Sequence, residues 1–427
     1  MNKQLFFYKE GCKVLYTKTG NLRLVQKINR SLVLNLIKEK GPISRADISK
    51  ITKLTRSTVS SIVDYLIRKD LVKEIGLTSS GVGRKAILLK LNSKTYYSIG
   101  VDLGTLHTTI VITDLLGRIE KRIEYPTDCH QDKDKIIEKL VAAIHNIVKD
   151  SRIQWKKISG IGVAAPGLID KKGTMLISPN FGWRDTPLRE ILKKEFHIPV
   201  FVDNNVNAMA LAEFEFGKGQ GVKNFVFINV GMGIGAGVVI NGELFHGESN
   251  CTGEIGHTTV DYNGPKCSCG NNGCLEVMVS GPAVVKRAIK AIKEGEKSVI
   301  SELVNYDLNK ISAEIVYKAA NQGDKLGLSI MEKTGEYLGI GVANIINLFN
   351  PELVIVGGGV ARAGDLIFKP LKKAVQKRAF SVSAEVAKII PVSLGKDCTV
   401  IGAAALVLKE MFKITRVITS SHLDFIK

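Results

Sequence analysis

One histidine and three cysteines have the spacing of a tetrahedral metal site. His257 is followed by Cys267, Cys269 and Cys274, and these three of the seven cysteines fall within eight residues. One imidazole and three thiolates complete a closed zinc site, and in a reducing compartment such clustering indicates metal rather than disulfides. Free buried thiols and a DNA-reading zinc finger are the alternatives, but no basic helix follows the cluster. The sequence therefore predicts structural zinc on these four side chains.

Apolar strands that end in glycine-rich turns recur along the body of the chain. Strands are predicted over residues 98–104, 158–167, 224–230 and 353–356. Glycine-rich loops are predicted at 231–237 and 357–359, and the first strand ends in Asp102-Leu103-Gly104. An antiparallel continuation over 108–124 and a helix over 132–150 follow the first strand. Two α/β halves of this kind, meeting at a cleft, would place several glycine-rich turns around one ligand.

The N-terminal quarter of the chain has the pattern of three helices followed by a strand hairpin. Helices are predicted over 23–39, from 44 onward and over 55–69. Ser44 and Asp47 form a capping box for the second helix, which turns Ile48 and Ile51 to the core, and Thr55 caps the third. The inward side chains of the third helix are Val59, Ile62, Val63 and Leu66. Two strands around a basic, glycine-rich tip at 78–85 complete a winged helix-turn-helix over residues 21–91.

The polar start of the third helix and the basic wing tip are candidates for DNA contact, since short donors and cations suit base edges and phosphates. The candidate residues are Ser44, Thr55, Arg56, Ser57, Thr58, Ser60, Ser61, Arg84 and Lys85. Residues 1–91 carry 19 Lys plus Arg against 6 Asp plus Glu, a net charge of +13, which leaves +6 of the total +19 for the rest. A solvated basic surface is the alternative, but the charge and the helix pattern together favour DNA binding.

The composition is that of a soluble globular protein of two or three domains, with 427 residues, 45% hydrophobic and 24% charged. No apolar run approaches the ~18 residues that cross a bilayer. The apolar residues 5–8 are too few for the core of a signal peptide. We therefore expect a cytoplasmic protein. Residues 1–20 have no clear periodicity and stay unassigned, either as a flexible arm or as an extension without consequence.

The order of short motifs resembles the ROK family (repressors, open reading frames, kinases) from about residue 21 to the end of the chain. The motifs are the winged helix, Asp102-Leu103-Gly104, Ala164–Gly167, Pro179-Asn180, Asp203–Asn207, the glycine-rich run 231–237, Glu254-x-Gly-His257, the cysteine cluster with Leu275-Glu276, and Gly357–Gly359. Segments Asn29–Leu34 and Ser57–Ser60 are most similar to the xylose-repressor branch of that family.

The resemblance implies an α/β chain in which the winged helix-turn-helix precedes a two-lobed, actin/RNase H-like body similar to a sugar kinase. The implied boundaries are 97–214 for the first lobe, completed by a C-terminal helix within 397–415, and 215–396 for the second lobe with the zinc site. The sugar-contacting positions implied by the resemblance are Asn180, Asn204, Asn205, Glu254, His257 and Glu276. His257 would use one ring nitrogen for zinc and the other for a sugar hydroxyl.

Three departures from the family's kinases fall on the phosphate and base machinery. The kinases usually have Asp-x-Gly-Gly-Thr-Lys in the first loop, where this chain has the segment 102–107 without the second glycine and the lysine. Met232 stands where kinases often place threonine. Asn205 stands where they keep the catalytic aspartate, and an amide is a very poor base. Asp203 could substitute for that base, but strand alternation predicts that it points elsewhere.

The sequence therefore predicts a sugar-responsive transcriptional repressor with no enzymatic activity, structural Zn²⁺, and xylose as the inducer favoured by the resemblance. Its predicted partners are operator DNA, the sugar and a second copy of the chain, as a homodimer or homotetramer. An ATP-dependent sugar kinase with an added DNA-binding domain is the alternative. An activator in place of a repressor also stays open.

Overall fold

The computed structural model describes residues 22–77 and 86–413. The predicted extension 1–20 and the wing-tip residues Arg84 and Lys85 lie outside the described residues. The chain forms two compact units, of which one contains the chain up to Thr95 together with the residues from Lys409, and the other contains Tyr96–Leu408. Within the described residues, no helix is both long enough and apolar enough to cross a membrane.

Among the described residues up to Leu91, the first unit, here called the head, has three helices and a three-stranded antiparallel sheet of order β1-β3-β2. Its elements are α1 (Leu22–Lys40), β1 (Ile43–Ser44), α2 (Arg45–Thr52), α3 (Arg56–Arg68), β2 (Val72–Leu77) and β3 (Ile87–Leu91). The predicted caps are confirmed, because Ser44 Oγ accepts from the Asp47 amide at 3.1 Å and Thr55 Oγ1 accepts from the Thr58 amide at 3.2 Å. The four apolar side chains predicted to face inward from α3 are all buried.

Of the two side chains of α2 that were predicted to face the core, one is buried and one is not. Ile48 is fully buried, but Ile51 is 47% exposed. The helix has only eight residues, and Ile51 is rotated by about 60° from Ile48 along it. Ile48 is the buried residue of this short helix, and Ile51, in its last turn, stays at the surface.

The second unit, here called the body, contains two five-stranded sheets. The elements up to residue 216 are β4 (Tyr97–Leu103), β5 (His107–Asp114), β6 (Ile119–Pro126), α4 (Lys133–Ser151), β7 (Ile158–Ala165), β8 (Leu168–Ile169), β9 (Met175–Ser178), β10 (Trp183–Thr186), α5 (Leu188–Phe196), β11 (Val200–Asn204) and α6 (Asn205–Phe216). The main sheet has the order β11-β7-β4-β5-β6, and β8, β9 and β10 form a small antiparallel sheet.

The rest of the body repeats this plan. Its elements are β12 (Phe225–Val230), β13 (Ile234–Ile240), β14 (Glu243–Leu244), α7 (Leu275–Val279), α8 (Gly281–Lys293), α9 (Val299–Leu303), α10 (Ala313–Asn321), α11 (Lys325–Phe349), β15 (Leu353–Gly357), α12 (Asp365–Arg378), α13 (Ser381–Val386), β16 (Lys388–Pro391) and α14 (Cys398–Phe412). The sheet order is β14-β13-β12-β15-β16. In both sheets the first strand pairs antiparallel with the second and parallel with the fourth. We call the parts built on these sheets the first and second lobe.

The helices that follow the fifth strand of each sheet, α6 and α14, cross in close contact. A Cβ atom at Gly402 of α14 would lie 1.9 Å from the Ala208 carbonyl oxygen of α6, and one at Gly162 of β7 would lie 1.8 Å from the Ala403 carbonyl oxygen. Only glycine fits at both positions. α14 is thereby held against the first-lobe sheet.

The strand predictions for the body are confirmed except in the glycine-rich run 231–237. There β13 begins at Ile234, so Gly235 and Gly237 lie in a strand that pairs with β12. The physical reason is the close approach of α6, because a Cβ at Gly237 would lie 2.5 Å from Ala210 Cβ. The glycines serve helix packing there, and the loop proper shortens to residues 231–233.

Candidate functional site

The first turn of α3 exposes a row of short polar side chains. Thr55, Arg56, Ser57 and Ser61 are exposed, and Thr58 and Ser60 are half-buried. The Thr55 hydroxyl lies 3.0 Å from the Ser57 hydroxyl and 2.8 Å from that of Thr58, so three hydroxyls form one cluster at the helix N-terminus. Such a surface can meet the phosphates and base edges of a duplex.

Ser44 does not share this surface. It is only 3% exposed, and its hydroxyl donates to Asp47 Oδ2 at 2.7 Å while it caps α2. Thr55 caps α3 in the same way but is exposed, so it is burial that removes Ser44 from the DNA-facing surface. We therefore leave Ser44 out of the DNA-contacting set.

The four predicted metal ligands come together at one point of the second lobe. The ligand atoms of His257, Cys267, Cys269 and Cys274 all lie within 4.8 Å of one another. Cys267 Sγ lies 3.6 Å from His257 Nδ1, and Cys269 Sγ lies 3.6 Å from Cys274 Sγ. Ligands about 2.0–2.3 Å from a tetrahedral ion are separated by distances of this size. The cluster therefore has room for one ion.

The chemistry of the donor set also suits a cation. Burial raises the pKa of the Cys274 thiol to about 12, so a nearby positive ion is what would keep this sulfur as a thiolate. Gly273, beside it, has φ +59°, and a Cβ there would lie 1.5 Å from the Asp261 carbonyl oxygen. The tight turn that brings Cys274 to the cluster thus requires glycine.

Two carboxylates flank the metal cluster. Partial burial raises the pKa of Glu254. The charge of His257 lowers this pKa in part, and the charge of Glu276 raises it further, so both groups lie close to Glu254. Glu276 Oε2 accepts from the Ile234 amide at 3.0 Å, at the point where the glycine-rich loop enters β13. Three predicted sugar-contacting residues are therefore gathered beside the metal cluster.

The predicted amides come from the first lobe. Asn204 caps α6, because its Oδ1 accepts from the Val206 amide at 2.7 Å while its Nδ2 donates to the Gly167 carbonyl at 2.9 Å. Asn205 begins that helix and is half-buried. The next residue, Val206, contacts Gly235 of β13, one residue after the Ile234 amide that Glu276 binds. The start of α6 thus lies against the second-lobe side of the site.

Asn180 is placed differently from the other predicted sugar contacts. It is exposed in the turn between β9 and β10. The structure gives it no hydrogen bond to any described residue, so its amide is open to solvent. It stays a predicted sugar contact.

Asp203, the residue two positions before Asn205, has both carboxylate oxygens in hydrogen bonds within the protein. It is 5% exposed, and its Oδ1 accepts from the Asn204 amide at 2.7 Å and from Asn207 Nδ2 at 2.9 Å. Its Oδ2 lies 2.8 Å from His246 Nε2. The sequence analysis missed His246 because the two residues are 43 positions apart and a lone histidine in a polar loop carries no local signal.

Asp102, at the end of β4, is the carboxylate whose titration the fold changes most clearly. Burial raises its pKa from 3.8 to about 7, with Thr399 lowering it in part and the charge of Glu124 raising it further. The folded protein therefore holds a proton between about pH 4 and pH 7 that the unfolded chain releases. The free energy of unfolding therefore falls as the pH rises through that range, and the destabilisation by the ionised Asp102 reaches its full size above pH 7.

We expect the substitution Asp102→Asn to stabilise the protein at pH 8 and to have little effect at pH 4. The gain at pH 8 should be on the order of 1–2 kcal/mol, below the value of the full shift because the side chain keeps some solvent contact. Urea unfolding at pH 4, 6 and 8 measures it, with the exposed Asp134→Asn as control. A gain that is independent of pH would contradict the raised pKa.

A cavity of about 470 Å³ opens beside the shortened glycine loop of the second lobe. Its lining residues include Met232, Pro282, Val285 and Ile289, and Lys286 is the one charged residue among them. The walls are mostly apolar. Such a lining can receive a flat apolar group but offers few partners for a triphosphate.

Comparison with known proteins identifies the body. Residues 98–410 match the ROK family. The chain belongs to the ROK family. The head of this ROK protein matches a second family, MarR, over residues 27–84. The resemblance predicted from the motifs is confirmed, and so is the fold class of a winged helix-turn-helix followed by an actin-like α/β body.

The relatives of this ROK protein include named regulators. The xylose repressor of Caldicellulosiruptor bescii is 36% identical over 393 residues, which are 92% of this chain and 98% of the relative. The DNA-binding transcriptional dual regulator NagC of Escherichia coli is 31% identical over 393 residues, 92% of this chain and 95% of the relative. Both matches include the head as well as the body.

Solved structures include both a regulator and a kinase. A ROK family transcriptional regulator, a homolog of the Escherichia coli MLC protein, superposes with a TM-score of 0.80 and 30% identity over 91% of this chain and 97% of its own. A ROK family glucokinase from Streptomyces griseus, in complex with glucose and AMPPNP, has a TM-score of 0.65 and 30% identity over 73% of this chain and 98% of its own. The ROK body with a DNA-binding head is the arrangement of the regulators.

Proposed function

We propose that this chain is a sugar-responsive transcriptional repressor that leaves its operator when a sugar, with xylose preferred, binds the body. The observation that carries the proposal is Asn205 at the position of the kinase base. An amide can hydrogen-bond a sugar hydroxyl but cannot accept its proton, so binding persists where phosphoryl transfer does not. The named regulators among the relatives support the same conclusion.

The sugar is held from both lobes. Asn204 and Asn205 approach it from the start of α6, Glu254 and Glu276 from beside the metal cluster, and Asn180 from the turn after β9. A bound sugar covers these amides and carboxylates, and a sugar with the wrong hydroxyl pattern would leave them covered without partners. Bridging the lobes is what lets a small ligand favour one conformation of the body.

The metal is a structural Zn²⁺. His257 Nδ1 faces the cysteines, so its Nε2 remains for a sugar hydroxyl, and the ion thereby orients one sugar contact. Zinc bound in this way supplies no chemistry to a substrate. It fixes the loop between His257 and Cys274, and with it the neighbouring carboxylates.

The head contacts DNA through the first turn of α3 and the wing. The residues of α3 are Thr55, Arg56, Ser57, Thr58, Ser60 and Ser61, and those of the wing are Arg84 and Lys85. One winged helix gives too little specific contact by itself, so the protein acts as a homodimer on a roughly palindromic operator. The loss of operator affinity on sugar binding equals the differential affinity of the sugar for the free and the DNA-bound state.

Operator binding and ATP turnover, measured side by side on the full chain, test this function. Anisotropy with operator DNA should show release by one sugar of a panel of pentoses and hexoses, with no nucleotide present. A coupled ATP assay with the same sugars should stay at background, since loss of the base costs about 10²–10⁴-fold. Robust turnover that disappears in Asn205→Ala would favour the alternative, a sugar kinase with a DNA-binding head.

A further inference from the structure

Residues 245–253, here called the strap, follow β14 of the second lobe but bond to the first lobe. The strap ends immediately before Glu254, a proposed sugar contact. The contacts are His246 Nε2 to Asp203 Oδ2 at 2.8 Å, Asn250 Nδ2 to the Ile169 carbonyl oxygen at 2.8 Å, and Lys171 Nζ to Glu248 Oε1 at 3.3 Å.

The strap contacts differ in strength because they differ in burial. The side chains of Lys171 and Glu248 are 58% and 102% exposed, and an exposed ion pair of this kind contributes little. Those of His246 and Asp203 are 28% and 7% exposed. A hydrogen bond to a carboxylate is roughly twice as strong as one between neutral groups, and burial strengthens it. The Asn250 bond is equally short but joins two neutral groups. The bond of His246 to a carboxylate is therefore the strongest of the three strap contacts.

The direction of this bond follows from its chemistry. A carboxylate only accepts, so the His246 nitrogen that faces Asp203 carries the proton and donates it. The other carboxylate oxygen already accepts from the Asn204 amide and from Asn207. Without His246, a nearly buried oxygen of Asp203 would have no partner in the described part of the protein.

Asp203 connects His246 to the proposed sugar site. The same carboxylate holds the backbone amide of Asn204, whose side chain caps α6, and Asn205 is the first residue of that helix. The strap, at its other end, leads into Glu254. One continuous set of contacts therefore joins the amides of the first lobe to the carboxylate of the second.

We propose that His246 is a positioning residue that latches the two lobes in the sugar-binding arrangement and thereby sets the affinity for sugar. This inference rests on the proposed function. A sugar that must touch both lobes binds more tightly when they are already held together, because less of its binding free energy is spent on closing them. His246 acts through Asp203 and does not itself need to touch the sugar.

The test compares His246→Leu with His246→Gln in the full-length protein. Leucine removes the donor, whereas glutamine keeps an N–H that can reach Asp203. We expect His246→Leu to weaken xylose binding in calorimetry about tenfold or more, equivalent to about 1.4 kcal/mol. His246→Gln should stay within a few-fold of the wild type. Lys171→Ala, which removes the exposed strap contact, is the matched control and should change binding less than threefold.

Hydrogen exchange on the sugar-free protein separates failure of the latch from failure of the proposed function. The amides of residues 203–207 and of the strap should exchange faster in His246→Leu than in the wild type and in Lys171→Ala. If the wild type ignores every sugar but this difference is found, the latch stands and the proposed effector is wrong. Unchanged exchange, or unchanged sugar binding in a folded His246→Leu, overturns the latch.

Discussion

Replacement of Cys274 by serine is expected to release zinc from the protein and to abolish its response to sugar. The sulfur is fully buried among the other three ligand atoms. A serine hydroxyl at this position cannot replace a thiolate ligand at neutral pH. Structural zinc contributes about 10–16 kcal/mol to the folding of isolated zinc-finger peptides, so loss of one ligand should destabilise this loop by several kcal/mol, on the order of 3 or more. Glu254 and Glu276 would then lose their fixed positions.

Metal analysis, thermal unfolding and sugar titration of Cys274→Ser measure this effect together. The wild type should contain about one zinc per chain, and a chelator should reproduce the behaviour of the variant. Cys129→Ser removes a half-buried thiol far along the chain from the cluster and should leave all three measurements unchanged. A wild type that is purified without zinc and still responds to sugar would rule out the proposed structural role of the metal.

Replacement of Arg56 by alanine is expected to weaken operator binding by about 10²-fold or more in a dimer. Arg56 is exposed at the first position of α3, beside the hydroxyl cluster of Thr55. An arginine that contacts a base or phosphate contributes on the order of 1–3 kcal/mol, and two heads engage two half-sites. The loss should come without a change in the unfolding temperature, because the side chain is exposed.

The control for this prediction lies on the same helix. Arg68→Ala removes the same charge from the last position of α3, about three turns away, and should change operator affinity less than threefold. Anisotropy at several salt concentrations, on an operator selected by the protein itself, distinguishes the two. Equal losses in both variants would indicate a general charge effect and would remove the first turn of α3 from the DNA contact.

The parts of the fold that the sequence predicted are those set by local rules. The capping pairs and the spacing of apolar residues predict α2 and α3, and the predicted start of α2 and both ends of α3 agree with the structure within about two residues. The metal cluster was predictable because its ligands lie within eighteen residues of one another. The capping motif does not indicate burial, and burial separates Ser44, which is 3% exposed, from Thr55, a capping residue that remains at the surface.

What the sequence could not predict depends on distant packing. Gly235 and Gly237 suggest a loop from their type alone, and only the approach of α6 makes them part of a strand. Ile51 is apolar, yet whether it is covered depends on which parts of the chain pack against a helix of only eight residues. His246 and Asp203 become partners only when the lobes are built, and no pattern in either segment indicates the other.

The crossing of α6 and α14 also limits how the body can change shape. Gly402 and Ala208 bring the two helix backbones into direct contact, with no side chain between them that could yield. Two helices in such contact can rotate about the point where their backbones touch. Separating them would leave a cavity in the interior, which is unfavourable because protein interiors are close-packed. We therefore expect the two lobes to move by rotation of α14 against α6 about an axis through Gly402.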